Sequence, residues 1–128
     1  MRLLIDSQVF IWLDTGSPKL PTRVKREIER ADNDIFLSFA SIWELQIKES
    51  VGKLTLRRTI LELVDAHCTQ NGLSLMPIQL AHIAATARLP DLHRDPFDRM
   101  LIAQAMTEDL QLVTADAVIE AYPVSVLW

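Results

Sequence analysis

The chain has 128 residues, 49% hydrophobic and 23% charged, with a formal net charge of −4. That suits a soluble globular chain with a sizeable core, and the acidic balance excludes a general nucleic-acid coat, whose surface is basic. No apolar run approaches the roughly 18 residues of a membrane helix, and the single cysteine, Cys68, excludes an internal disulfide framework and fits a reducing cytoplasm.

MRLLID, at the start, has no long apolar region or small-residue cleavage site, so no signal peptide is expected. RLLI (2–5) reads as a short buried strand, and SQVFIWLD continues with helical apolar spacing at Val9, Trp12 and Leu13. Prolines precede Val24, Ile28 and Ala31, whose spacing predicts an amphipathic helix over about 21–31. DIFLSF reads as a second buried strand, and SIWELQIKESVGKL as a helix ending near Gly52. LRRTILELVDAHCTQNG sets Leu56, Ile60, Leu63, Val64, His67 and Cys68 on one helix face, closed by Asn71-Gly72. LSLMPI is a short strand, QLAHIAATARL a helix, DLHRDP a loop and FDRMLIAQAMTE a mostly apolar helix. LQLVT, DAVIEAY and VSVLW read as strand, short helix and strand. Alternating strands and helices predict α/β: a three-layer α/β/α sandwich with a mainly parallel sheet. No linker or repeat interrupts it, so residues 1–128 are expected to form one domain.

Four acids fall at special points of that pattern. Asp6 follows the first strand directly, and Asp116 comes shortly after LQLVT. Glu44 and Asp98 are expected in the first turns of helices, in S-I-W-E and D-P-F-D. Helices run antiparallel to their strands in such a layer, so all four should meet at the strand C-terminal edge, where open α/β sheets take ligands. Each acid alone also reads as a cap. Ser41-Ile-Trp-Glu44 has capping-box spacing; Asp95-Pro96 reads as N-cap and N1, with Asp98 at N3; Asp6 and Asp116 each precede a helix. Together they read differently. Crowded carboxylates raise one another's pKa, and Ser, Thr or Asn would cap without that cost. A divalent cation among them explains the cluster, and an oxygen-only ligand set favours Mg²⁺ or Mn²⁺ over zinc. The charge balance agrees: without these four, the 17 acids become 13, equal to the 13 Lys and Arg.

LLIDSQVFIW, SFASIWELQIKESVGKL, LPDLHRDPFDRMLIAQA, LVTAD and PVSVLW, in that order over nearly the whole chain, resemble PIN-domain ribonucleases, and among them the VapC-type toxins of bacterial toxin–antitoxin pairs. The resemblance implies a parallel α/β/α sandwich and a quartet, here Asp6, Glu44, Asp98 and Asp116, binding one or two Mg²⁺ or Mn²⁺ ions and cleaving RNA. It also implies a homodimer in the cytoplasm and a small, DNA-binding antitoxin encoded just upstream. Asp6 and Asp116 are expected as central ligands, Asp98 as a direct or water-mediated one, and Glu44 as acting through water on the nucleophile. Asp95 is read as the cap of the helix carrying Asp98, Ser41 as the cap of the helix carrying Glu44, and Thr114 as a hydrogen-bonding partner of a metal-bound water or a phosphate. Many relatives carry D-T-H after the first strand where this chain has Asp6-Ser7-Gln8, and Arg where it has Ala115.

RNA binding would then rest on the metal and on local cations, with Lys48, Lys53, Arg94 and Arg99 as candidates. Lys48 reads equally as the partner of Glu44 in an i,i+4 helix pair. His67 and Cys68 read as core, and His82 and His93 show no ligand spacing. Trp12 and Trp43, among apolar neighbours, read as core and not as base-stacking platforms. No Gly-rich phosphate loop or serine elbow exists. Two rival readings are a catalytically silent PIN-like protein-interaction module and a phosphoryl-transfer hydrolase using Asp6. The latter expects a second acid at position 8, which is Gln8.

Overall fold

The computed structural model describes residues 1–128. Its elements in chain order are β1 (Arg2–Ile5), α1 (Ser7–Thr15), α2 (Thr22–Glu29), β2 (Asp34–Ser38), α3 (Phe39–Ser50), α4 (Ile60–Asn71), β3 (Ser74–Met76), α5 (Leu80–Thr86), α6 (Pro96–Thr107), β4 (Gln111–Val113) and β5 (Val126–Leu127). A 3₁₀ turn, Ala117–Ala121, stands where DAVIEAY predicts a short helix. All five strands are parallel, in the order β3-β2-β1-β4-β5.

Strand alternation sorts the core into two layers. Leu3, Ile5, Ile35, Leu37 and Val113 share one apolar cluster with Val9, Phe10, Val24, Ile28, Ile60, Leu63 and Val64 from α1, α2 and α4. Leu4 and Leu112 point the other way, into a cluster with Leu101, Ile102 and Ala105 of α6 and with Ile119 and Tyr122. Successive strand residues face opposite sides, so near-continuous apolar strands are what a sheet covered on both faces requires. The three-layer expectation therefore holds.

Two local devices fix the helices that matter. The strand β2 passes into α3 with no connecting loop: Ser38 is the last strand residue, and its Oγ accepts from Ala40 N at 3.0 Å as the N-cap. The helix thus begins earlier than S-I-W-E suggests. Ser41 is its third residue and not its cap, and Glu44 lies in the second turn and not the first. The apolar run DIFLSF hid this boundary, because Phe39 fits a buried strand as well as a first helical turn. By contrast Asp95 caps α6 as expected, accepting from Phe97 N at 2.8 Å, with Pro96 at N1 and Asp98 in the first turn.

The chain builds outward from β1 through β2 to β3 and then returns to β4 on the other side of β1. The carboxyl ends of β1 and β4 therefore flank a topological switch point, where the connections diverge and leave a crevice.

Candidate active site

Asp6 stands at that crevice, directly after β1, and is buried. Its Oδ1 accepts from Val9 N at 2.7 Å, capping α1. Thr114, also buried, hydrogen-bonds its carboxylate, and Thr114 Oγ1 accepts from Asp116 N at 3.1 Å. Asp116 follows β4 and caps the 3₁₀ turn through Oδ1, which accepts from Val118 N at 3.0 Å. Asp6, Asp95 and Asp116 thus each cap a helix or turn by accepting a backbone N–H. These caps gather at one edge, because helix N-termini and strand C-termini lie there together.

Glu44 is different. Its reciprocal box with Ser41 does not form. Glu44 Oε1 instead accepts from Ser7 Oγ at 2.6 Å, both residues buried, and Oε2 lies 3.7 Å from Lys48 Nζ. Ser41 is fully buried, and its Oγ has no hydrogen-bond partner. Lys48 is half exposed, so its i,i+4 pair contributes about 0.2–0.5 kcal/mol at most.

The electrostatics show how closely these groups crowd. Burial first, then the Asp95 carboxylate, push Asp98 from 3.8 up to about 7; His93 opposes the rise, and Glu44 and Asp6 add to it. Asp6 is also held above its ordinary value, chiefly by burial. Hydrogen bonds from Thr114 and the Val9 backbone pull it back, while Glu44 and Asp116 push it further. Asp6 therefore lies within electrostatic reach of Glu44, Asp98 and Asp116, which come from three other segments of the chain. All their donors are oxygens, and their repulsion is of the kind a divalent cation relieves. The donor set fits Mg²⁺ or Mn²⁺.

Several sequence expectations are corrected. Arg99 is no free phosphate contact. Its guanidinium donates to the carbonyls of Pro90 (2.9 Å) and Thr86 (3.0 Å) and approaches the Tyr122 hydroxyl at 3.4 Å. Adjacent residues on a helix point about 100° apart, so Arg99 leaves the site that Asp98 enters. Trp43 is 61% exposed, not core, and packs edge-on against Phe97 at 5.5 Å between ring centroids. Trp12 does pack against the first core cluster. Leu56 lies before α4, which begins at Ile60. His67 is tied to Asp14 and Asn71, each at 2.9 Å.

His93 is the residue that spacing overlooked. Its Nε2 lies 2.7 Å from Asp116 Oδ2 and 3.1 Å from Asp98 Oδ2. One donor atom from each of His93, Asp98 and Asp116 falls within 4.8 Å of the others. The only sequence signal was local: H-x-D, which lets Asp95 N donate to His93 Nδ1 at 3.1 Å.

Comparison with known proteins bears on this geometry. The PIN domain family model matches residues 3–124. No curated protein matches. Among solved structures, the fold resembles VapBC2 from Rickettsia felis, crystallised with a DNA fragment from their promoter. The TM-score is 0.74 at 16% identity, over 99% of this chain and 98% of that one. It also resembles DNA-bound VapBC from Salmonella typhimurium (TM-score 0.69, 14% identity, 99% and 97% covered). A third similar structure is VapBC-5 from Mycobacterium tuberculosis, a member of the VapBC family of toxin-antitoxin systems (TM-score 0.59, 18% identity, 98% and 95% covered).

Proposed function

The chain belongs to the PIN-domain family, and on that premise we propose that residues 1–128 act as one PIN domain, a divalent-metal-dependent endoribonuclease serving as the toxin of a toxin–antitoxin pair. One observation carries this reading. Four carboxylates from four segments converge at the sheet's switch point, and burial and mutual repulsion raise Asp6 and Asp98. A fold that needed only caps would gain nothing from that repulsion.

Asp6, Asp98 and Asp116 would hold Mg²⁺ or Mn²⁺, with Glu44 reaching it through water. A cation there supplies positive charge to the scissile phosphate and to the charge that develops on its oxygens. The remaining work belongs to the chain. Ser7 and Lys48 fix the Glu44 carboxylate, leaving it oriented to accept a proton from an attacking water. Thr114 bridges Asp6 and the Asp116 backbone, holding the two strand ends in register. Lys48, half exposed beside the acids, is the cation best situated to meet an RNA phosphate.

Partners follow from the surface. Phe39, Trp43 and Ile47, four residues apart along α3, and Val51 just beyond its end are all exposed. An apolar stripe of this kind marks a protein contact, and a small antitoxin is its proposed occupant. Leu80 and Ile83 on α5 are exposed as well and suit a homodimer contact. No helix is long and apolar enough to cross a membrane, and a cytoplasmic setting is proposed with the RNA substrate.

The test is direct. Purified protein is incubated with RNA and Mg²⁺ or Mn²⁺, then with EDTA. Cleavage that requires the ion and disappears in Asp98→Asn is expected; metal-independent cleavage, or full activity in that variant, sinks the reading. For the toxin role, the neighbouring upstream gene should encode a short DNA-binding protein that copurifies with this chain and suppresses cleavage.

A further inference from the structure

The loop between α5 and α6 is braced far more heavily than a connection needs. Tyr122, from the far end of the 3₁₀ turn, donates its hydroxyl to Pro90 O at 3.0 Å and accepts from Leu92 N at 3.2 Å and His93 N at 2.8 Å. Arg99 grips the same loop from α6 through the carbonyls of Thr86 and Pro90. The residue these contacts deliver is His93, mostly buried, its ring set against Asp98 and Asp116.

Which ring nitrogen carries the proton follows from the loop itself. Asp95 N–H donates to Nδ1, so Nδ1 is the acceptor and the proton sits on Nε2. That N–H is hydrogen-bonded to Oδ2 of Asp116 at 2.7 Å, and Oδ2 of Asp98 lies 3.1 Å from the same nitrogen as a charge contact. A protonated Nε2 offers no lone pair to a metal. It offers a hydrogen bond to Asp116, with Asp98 held close beside the same nitrogen.

We propose that His93 is a positioning residue of the acidic site: its Nε2–H holds Oδ2 of Asp116 and its ring edge is seated against Oδ2 of Asp98, so that the two carboxylates present themselves to a divalent cation already oriented. The inference rests on the reading of this cluster as a metal site. Donors of this kind behind ligating carboxylates commonly change metal affinity by about 10–100-fold. Tyr122 and Arg99 then act one step further back, by holding the loop that holds the ring.

The experiment measures Mn²⁺ binding to the full chain without RNA, by titration calorimetry, for the wild type, His93→Ala and His93→Gln. Thermal melts report folding in parallel. His93→Ala should weaken Mn²⁺ by about tenfold or more, and His93→Gln, which keeps a side-chain N–H donor, should recover most of that loss. Pulsed EPR on Mn²⁺-loaded wild type should show no directly bound nitrogen, a readout independent of whether the alanine variant folds. Unchanged affinity in a folded His93→Ala, a glutamine variant as weak as the alanine one, or a coordinated ¹⁴N signal would each overturn the assignment. Absence of any Mn²⁺ binding by the wild type would instead bring down the proposed metal site itself, and this inference with it.

Discussion

His82 and His93 are built almost alike and do different things. In both, Nδ1 accepts a backbone N–H, from Gln79 at 3.0 Å and from Asp95 at 3.1 Å. In both, Nε2 meets a carboxylate, Glu108 at 2.8 Å and Asp116 at 2.7 Å. The difference lies in what surrounds them. His82 is 1% exposed, faces a single acid and ties the N-terminus of α5 to the end of α6. His93 faces two acids, one of them raised to about 7, at the carboxyl edge of the sheet. A ring that meets one acid closes a structure, whereas a ring set against two repelling acids leaves charge that something else must answer. Surplus charge, more than the imidazole itself, separates a brace from a site.

That contrast can be broken in several places. The largest effect is expected from Asp98→Asn or Asp116→Asn, which should each reduce RNA cleavage more than about 100-fold, beyond the loss typical of outer-sphere changes, as read by initial rates at saturating metal. His82→Ala should do the opposite of a site mutation. It leaves the Gln79 N–H without its partner and should destabilise the fold by about 1–3 kcal/mol. Denaturant melts would show this while Mn²⁺ affinity stays as in the wild type; a His82→Ala variant that lost metal would erase the distinction.

Smaller effects sharpen the electrostatic side. The fold binds the Asp98 proton more tightly than the unfolded chain does, since its value rises from 3.8 to about 7. The stability this group contributes is complete below the unfolded value and is lost as pH rises through about 7. Metal-free melting temperatures should therefore decline from about pH 5 to about pH 8, and Asp98→Asn should flatten that decline. The smallest change is expected from Lys48→Met: about 0.5 kcal/mol or less in stability, with a weaker salt dependence of RNA binding. Equal salt dependence in variant and wild type would assign Lys48 to Glu44 alone.

The residues most legible in the sequence were those whose role is set by nearby chain. Apolar strands of four or five residues, and Asp6 placed straight after one of them, need only local pattern to be read. D-P-x-D names its own cap and first turn, so Asp95 and Asp98 were found together with their geometry. Glu44 was expected in a first turn capped by Ser41, but Phe39 extends an apolar strand and conceals the helix start at Ser38. Trp43 and Arg99 were misread for a common reason. Each adjoins a site acid in sequence, and one step along a helix turns a side chain out of its neighbour's direction. His93 was out of reach by pattern, since its placement depends on a tyrosine hydroxyl 29 residues away and an arginine that looked like surface.

The direct passage of β2 into α3 has a mechanical consequence. With Ser38 both closing the strand and starting the helix, no slack separates the sheet from Glu44. The helix behaves as a gear meshed to the sheet, and its phase is set at one tooth. One alanine inserted after Ser38 would advance that phase by about 100°, bringing Trp43 to the bearing Glu44 now occupies and turning the carboxylate away from Ser7. Composition would barely change, yet the buried face of α3 and the acid with it would be out of step with the crevice, so register at this junction decides where Glu44 points.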